Sequence, residues 1–313
     1  PMDLEEAKSL LPEFFLTQLT EDYSPEDAER IIAGVATRRK TTLRANASLS
    51  TRDEVAAVLD EAGIAYAFVP WYADGFILDT ATPRDLWELP AYEDGKLYLQ
   101  SLSSMIPALV MQPSAGDEIC DMCAAPGGKT TQMSAMGGKG CYITACEMNL
   151  PRAEKLEYNL AKQGSRGVNV MKIDARNLDS FLMFGKVLLD APCSGSGTIY
   201  AADPKLAKRF NPGLLTKCRK QQGKLLAKAL QVVKPGGTLV YSTCSVLKSE
   251  NEDQVNAALS KLGRRAANYR IEPIEIAGGE DIPTLPSTID GALTVCPTEL
   301  YEGFFACKIV REA

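Results

Sequence analysis

A chain of 313 residues that is 45% hydrophobic and 24% charged can bury a sizeable core, and its length fits roughly two domains. It contains no histidine, which excludes Ser-His-Asp and Cys-His nucleophile schemes, HExxH chemistry and histidine-ligated metals; a general base must be a carboxylate, lysine, tyrosine, thiolate or water. The net charge of −6 hides an uneven distribution, because Pro204 to Ser249 holds no acidic residue and ten basic ones, from Lys205 and Lys208 through Lys217, Arg219, Lys220 and Lys224 to Lys248.

Residues 1 to about 34 read as helical, with Ser24-Pro25-Glu26-Asp27 as an N-terminal cap. A strand-like TTLRANAS follows, then a helix in STRDEVAAVLDEAGI, capped by Ser50 or Thr51 and stopped at Gly63. AYAFVPWY and GFILDT are short strands. This β-α-β-β layout predicts a small α+β module over residues 1–90 that presents Arg38, Arg39, Lys40 and Arg44 to RNA.

From about Tyr92, LYLQSLSSMIPALVM reads as a helix leading into a βα repeat. Strands are predicted in EICDM, CYITACE, VNVMKID, KVLLDA and TLVYST, with EGFFACKIV as a late edge strand. Intervening helices include TTQMSAM, PRAEKLEYNLAKQG and GLLTKCRKQQGKLLAKALQVV. The alternation implies a doubly wound, mainly parallel Rossmann-like sheet over residues 91–313. No apolar run approaches the ~20 residues that span a bilayer, and the acidic start lacks the layout of a secretory signal. A soluble, cytoplasmic protein is expected, with a monomer favoured.

Nine cysteines in such a chain suggest reduced thiols. Cys120-x2-Cys123 followed by Cys141 and Cys146 approximates a zinc spacing, but the last pair is four residues apart, and buried packing is the better reading; no metal is expected. Two other cysteines stand out. Cys193 in VLLDAPCSGSG and Cys244 in GTLVYSTCSV each follow a strand's carboxyl end, the edge where open α/β sheets bind ligands. Taken alone, each could be a buried small hydrophobe.

A third unit, DMCAAPGGKT, is a glycine-rich turn between strand and helix, spanning Cys123, Ala124, Ala125, Pro126, Gly127, Gly128 and Lys129. Glycines allow close backbone approach, and the helix N-terminus offers free amide hydrogens. The turn lacks both the third glycine of G-x-G-x-x-G and the spacing of a P-loop. Glu147, Asp174 and Asp190 close three successive strands, and such an acidic rim suits a cofactor with an adenosine and a positive centre, as in S-adenosylmethionine.

These residues resemble the RNA cytosine carbon-5 methyltransferases of the RsmB/NOP type, closest in pattern to the bacterial ribosomal RNA members. The resemblance rests on DMCAAPGGKTTQ, LLDAPCSGSG, GGTLVYSTCSVLKSENED and EGFFACKIV, with RKTTLRANAS and YLQSLSSMIPAL further upstream. It implies that Cys123 to Lys129, Glu147, Asp174 and Asp190 bind S-adenosylmethionine. It implies Cys244 as the nucleophile and Cys193 as the thiol that helps release product, with Asp190 hydrogen-bonding ring nitrogen-3. The implied partner is RNA, small-subunit ribosomal RNA first and transfer RNA second. Larger bacterial members carry a further C-terminal RNA-binding region, which this sequence is expected to lack. Two departures from those members are Ser196, where glutamate is common, and Ala201-Ala202-Asp203-Pro204, where Arg-Lys-Asp-Pro is common. An inactive RNA-binding assembly factor, a nicotinamide-dependent oxidoreductase and an amino-group methyltransferase are the competing readings.

Overall fold

The computed structural model describes residues 2–313. Three helices lead: α1 (Leu4–Leu10), α2 (Glu13–Asp22) and α3 (Pro25–Val35). Ser24 caps α3 by accepting from the Asp27 amide, with Pro25 in the first turn. A small sheet follows, made of β1 (Thr42–Ala45), β2 (Tyr66–Val69) and β3 (Tyr72–Leu78), with α4 (Arg52–Glu61) after β1 and the short α5 (Pro83–Trp87) and α6 (Pro90–Glu93) after β3. Thr51 caps α4, while Ser50 donates to the Lys96 carbonyl instead. The sheet's fourth strand, β4 (Leu97–Leu99), pairs antiparallel with β1, giving the order β2-β3-β1-β4. Residues 97–99 are therefore strand, and the helix expected from Tyr92 onward starts only at Leu102, where Ser101 supplies a cap; Leu97 completes the core of Leu43, Leu59 and Phe76.

The larger sheet is reached through α7 (Leu102–Met111) and β5 (Glu118–Asp121). There follow α8 (Gly128–Gly137), β6 (Tyr142–Cys146), α9 (Leu150–Lys162), β7 (Val168–Met171), β8 (Phe184–Asp190), α10 (Leu206–Arg209), α11 (Pro212–Val232) and β9 (Val233–Thr243). The chain ends with α12 (Glu252–Ser260), β10 (Tyr269–Glu272), β11 (Thr284–Leu285), β12 (Leu293–Val295) and β13 (Phe304–Arg311). Strands β7-β6-β5-β8-β9 are parallel and in that spatial order. β13 runs antiparallel against β9 and carries both β12 and β10 on its other side.

The expectation of an edge strand at EGFFACKIV is thus corrected. β13 is interior, because it is paired with β9 on one side and with β12 and β10 on the other, and Phe304, Phe305, Ala306 and Cys307 are buried on its alternating faces. The same alternation runs through β8 and β9. Val187, Leu189, Leu239 and Tyr241 face α11 and α12, while Leu188 and Val240 face α7, α8 and the Trp71 end of the small sheet. Covering both faces accounts for the nearly continuous apolar runs in the sequence.

Helices α1–α3 do not pack on the small sheet. Phe15, Leu19, Ile31 and Val35 share a core with Ile199, Phe210, Val246 and Leu247, in the loops that follow β8 and β9. Hydrogen bonds reinforce this contact: Tyr23 donates to the Val246 carbonyl (2.5 Å), and Asp22 accepts from the Lys248 amide (2.9 Å). The N-terminal helices therefore brace the loops that carry both cysteines.

Candidate active site

Three strand ends converge at the carboxyl edge of the parallel sheet. β5 ends at Asp121 and feeds the glycine-rich turn, β8 ends at Asp190 and feeds the Cys193 loop, and β9 ends at Thr243 and feeds the Cys244 loop. Over them lies a cavity of about 300 Å³ whose wall includes Tyr98, Cys123, Lys129, Asp190, Cys244 and Glu302. A second cavity, of about 60 Å³, contains Glu147 and Asp174, and Cys123 lines both.

The two thiols meet. Cys193 Sγ and Cys244 Sγ are 3.2 Å apart, with Cys244 in the wall of the larger cavity. Their loops are stitched together: the Gly197 amide donates to the Cys244 carbonyl (2.9 Å), the Val246 amide donates to Ser196 Oγ (3.0 Å), and Ser196 and Ser245 hydroxyls pair at 2.9 Å. Ser196 is fully buried in this stitching, so it faces the loop and not a bound RNA. Gly197 must lack a side chain, since a Cβ there would lie 2.0 Å from the Gly303 carbonyl oxygen. The Cys193 thiol is pushed well above its ordinary range, first by its hydrogen-bond contact with Cys244, then by burial and the negative charge of Glu250.

Lys129, from the glycine-rich turn, is the cation that shares the cavity wall with Cys244. Its Nζ lies 2.7 Å from Asp190 Oδ2 and donates to Ser104 Oγ at 3.0 Å. Burial lowers the ammonium's pKa, but the Asp190 carboxylate outweighs it, and the net displacement is upward. Lys129 therefore carries its charge across the neutral range, where an ammonium favours ionisation of a nearby thiol. Asp190 Oδ1 accepts from Ser242 Oγ (2.9 Å), so both of its oxygens are held.

Comparison with known proteins gives the family. Residues 108–310 match the family described as 16S rRNA methyltransferase RsmB/F, and residues 11–85 match the ferredoxin-like domain of RsmF/B-like methyltransferases. The chain belongs to the RsmB/F methyltransferase family. Ribosomal RNA small subunit methyltransferase F of Shewanella amazonensis is 33% identical over 283 residues, covering 88% of this chain and 58% of that protein. Ribosomal RNA small subunit methyltransferase B of an Enterobacter species is 32% identical over 307 residues, covering 97% of this chain and 67% of its own length. The chain thus spans about three fifths to two thirds of these relatives. Among solved structures, a methyltransferase homologue from Pyrococcus horikoshii superposes with a TM-score of 0.78 at 29% identity, covering 97% of this chain and all of that one. NSun6 from the same organism shares the fold (TM-score 0.84, 22% identity, 96% and 98% covered).

In this RsmB/F chain the cavities fit the cofactor that the family's chemistry calls for. Gly127 adopts φ +111° at the start of α8, a conformation that favours glycine, and Gly128 sits so close beneath Tyr98 that a Cβ would lie 3.3 Å from its ring, so both glycines are fixed by the packing of the turn itself. The larger cavity holds Asp121, Asp190 and Glu302 against the single cation Lys129, a balance suited to a positively charged ligand. Asp121 Oδ1 is buried with no hydrogen-bond partner, while Oδ2 accepts from Thr130 (2.7 Å). In the smaller cavity, Glu147 accepts from the Asn149 amide (3.1 Å) and faces Arg152, and Asp174 is gripped by Arg176, whose guanidinium holds the carboxyl below its ordinary range. Cys123, Ala124, Ala125, Pro126, Gly128, Lys129 and Asp190 line the larger cavity; Glu147 and Asp174 line the smaller.

Sequence reasoning missed Asp121, Ser104, Glu302, the β4 residues Tyr98 and Leu99, and Gln100 just after them, all in the cavity wall. Asp121 carried a signal, as a strand-end acid preceding the glycine turn. It also misread part of the first basic cluster. Arg44 is fully buried: it donates to Gln100 Oε1 (2.8 Å), Thr131 Oγ1 (2.6 Å) and the Gly128 carbonyl (3.0 Å), clamping the small sheet onto the glycine-rich turn. Arg39 donates to the carbonyls of Thr298, Tyr301 and Gly197 and so joins three loops. Neither is free to meet a phosphate. Along the acid-free stretch, by contrast, Lys205, Lys208, Lys217, Lys220 and Lys224 are exposed and form no ion pair among the described residues.

Proposed function

We propose that this chain transfers a methyl group to carbon-5 of cytosine in RNA, small-subunit ribosomal RNA first, through a covalent bond between Cys244 and the base. The 3.2 Å approach of the two thiols beside a charged lysine carries this reading. Carbon-5 of cytosine is a poor nucleophile. Addition of the Cys244 thiolate at carbon-6 turns the ring into an enamine whose carbon-5 can attack an electrophilic methyl, splitting one hard step into two easier ones. S-adenosylmethionine, held by Cys123 to Lys129 with Glu147, Asp174 and Asp190, supplies that methyl.

The residues of this chain provide the rest. The Lys129–Asp190 pair faces the cavity and supplies the hydrogen bond that ring nitrogen-3 needs as negative charge develops there. After transfer, the carbon-5 proton passes to water held against Cys193 and on to solvent. The electrons of that C–H bond restore the ring double bond, and the carbon–sulfur bond to Cys244 breaks. The base must be unstacked to enter, so a loop or single-stranded segment is the substrate. The exposed lysines of α10 and α11 offer sites for its phosphates.

Bisulfite mapping of ribosomal and transfer RNA from cells with and without this protein tests the reading. A cytosine in small-subunit ribosomal RNA that loses its protection when the gene is removed, and regains it with the wild-type chain but not with Cys244→Ala, supports it. Maps that coincide with and without the protein overturn it.

A further inference from the structure

Glu250 is a fully buried carboxylate in the turn after β9, outside both cavities. Its oxygens accept from the Ser194 amide (2.7 Å), Ser194 Oγ (2.7 Å), Gln222 Nε2 (3.1 Å) and Ser245 Oγ. Ser194 follows Cys193 and Ser245 follows Cys244, so one side chain holds the residue after each thiol. Gln222 extends the grip by donating to the carbonyl of Pro192, the residue before Cys193 (2.8 Å). All four donors are neutral, and Glu250 has no cation within ion-pair distance among the described residues. A buried carboxylate without a cation is costly to keep, and here it is satisfied by groups flanking the reactive cysteines and by Gln222 of α11.

The charges around the thiol pair are consequently opposed. Lys129 shares the cavity wall with Cys244, while the Glu250 carboxylate holds both the backbone amide and the hydroxyl of Ser194 next to Cys193 and, on the Cys244 side, the Ser245 hydroxyl alone. The other ionisable groups facing the pair are Asp190 at the end of β8, Tyr241 on β9 and Cys218 on α11; burial raises Tyr241 and Cys218, so both are neutral near pH 7.

We propose that Glu250 is the positioning residue of this site: it fixes the two cysteine loops as a unit, and its charge, set behind Cys193, leaves Cys244 as the attacking thiolate of the pair. Without that charge the two sulfurs, in contact at 3.2 Å, compete for one negative charge. The inference rests on the methyltransferase reading for its purpose, but the labelling arm of its test needs neither RNA nor methyl transfer.

The test is iodoacetamide labelling of the folded chain across pH, with each cysteine quantified by mass spectrometry, in wild type and Glu250→Gln; melting and S-adenosylmethionine binding check the fold. Wild type is expected to label Cys244 at least about tenfold faster than Cys193 at neutral pH. In Glu250→Gln the ratio falls to about one, Cys193 labels at lower pH than in wild type, and methylation drops by at least about tenfold. Unchanged labelling and an unchanged pH profile in folded Glu250→Gln overturn the inference even if wild type methylates RNA; absence of methylation by wild type instead overturns the underlying reading. Should Glu250→Gln not fold, Glu250→Asp keeps the charge but shortens the reach. Cys244-first labelling with at least about fivefold lower turnover supports the proposal, and wild-type turnover overturns it.

Discussion

Lys217, Lys220 and Lys224 form one stripe on α11, spaced three and four residues apart, exposed and without ion pairs among the described residues. If each meets one phosphate of a single-stranded segment, replacing all three with alanine removes about 0.7 per contact, or about 2 in total, from the slope of log affinity against log salt. Over a fourfold rise in salt, from about 50 to about 200 mM, wild type should then lose about 16-fold more affinity than the triple variant. Fluorescence anisotropy with a labelled hairpin carrying an unpaired cytosine, titrated at several salt concentrations, measures both slopes. Cofactor binding should be unaffected, because the stripe lies outside both cavities. Equal slopes for wild type and variant would refute the assignment of this face to RNA, whatever the absolute affinities.

Burial raises Asp121 from 3.8 to about 6 against the opposing hydrogen bond from Thr130, a displacement worth about 3 kcal/mol. Because the folded value lies above the unfolded one, this group's contribution is full below about pH 4 and is lost as pH rises through about 6. Asp121→Asn should therefore gain on wild type in urea denaturation between pH 4 and pH 7, and a difference that stays flat with pH contradicts the account. Arg44→Met should cost about 3 kcal/mol, since it strips a charged donor from Gln100, Thr131 and the Gly128 carbonyl; it should also weaken S-adenosylmethionine binding measured by calorimetry. Lys129→Met leaves Asp190 without its cation and should lower single-turnover methylation at least about a hundredfold while the chain still melts cooperatively.

Much of this was legible in the sequence because strand-end residues report their own position. Asp190, Cys193 and Cys244 follow apolar runs closed by turn residues, and a parallel sheet brings such ends to one edge whatever the loops do. The glycine-rich turn and the cap at Ser24 were readable for the same local reasons. What escaped depends on partners far away in sequence. Tyr98 looks helical beside SSMIPALVM, yet it pairs with Arg44 across the small sheet. Arg44 looks like a phosphate ligand in a basic run, and only the fold shows that it is enclosed by residues 56 to 87 positions away. Glu250 sits in the polar run KSENED, and only the closing of the loops of β8 and β9 over it shows that it is buried.

The most direct measurement is a denaturing gel of Cys193→Ala incubated with S-adenosylmethionine and radiolabelled substrate RNA. The account predicts a slow-migrating protein–RNA band that survives denaturation and disappears in Cys193→Ala/Cys244→Ala, since attack proceeds while release fails. Cys193→Ala that turns over at the wild-type rate and leaves no band, or a band that persists once Cys244 is gone, would contradict it.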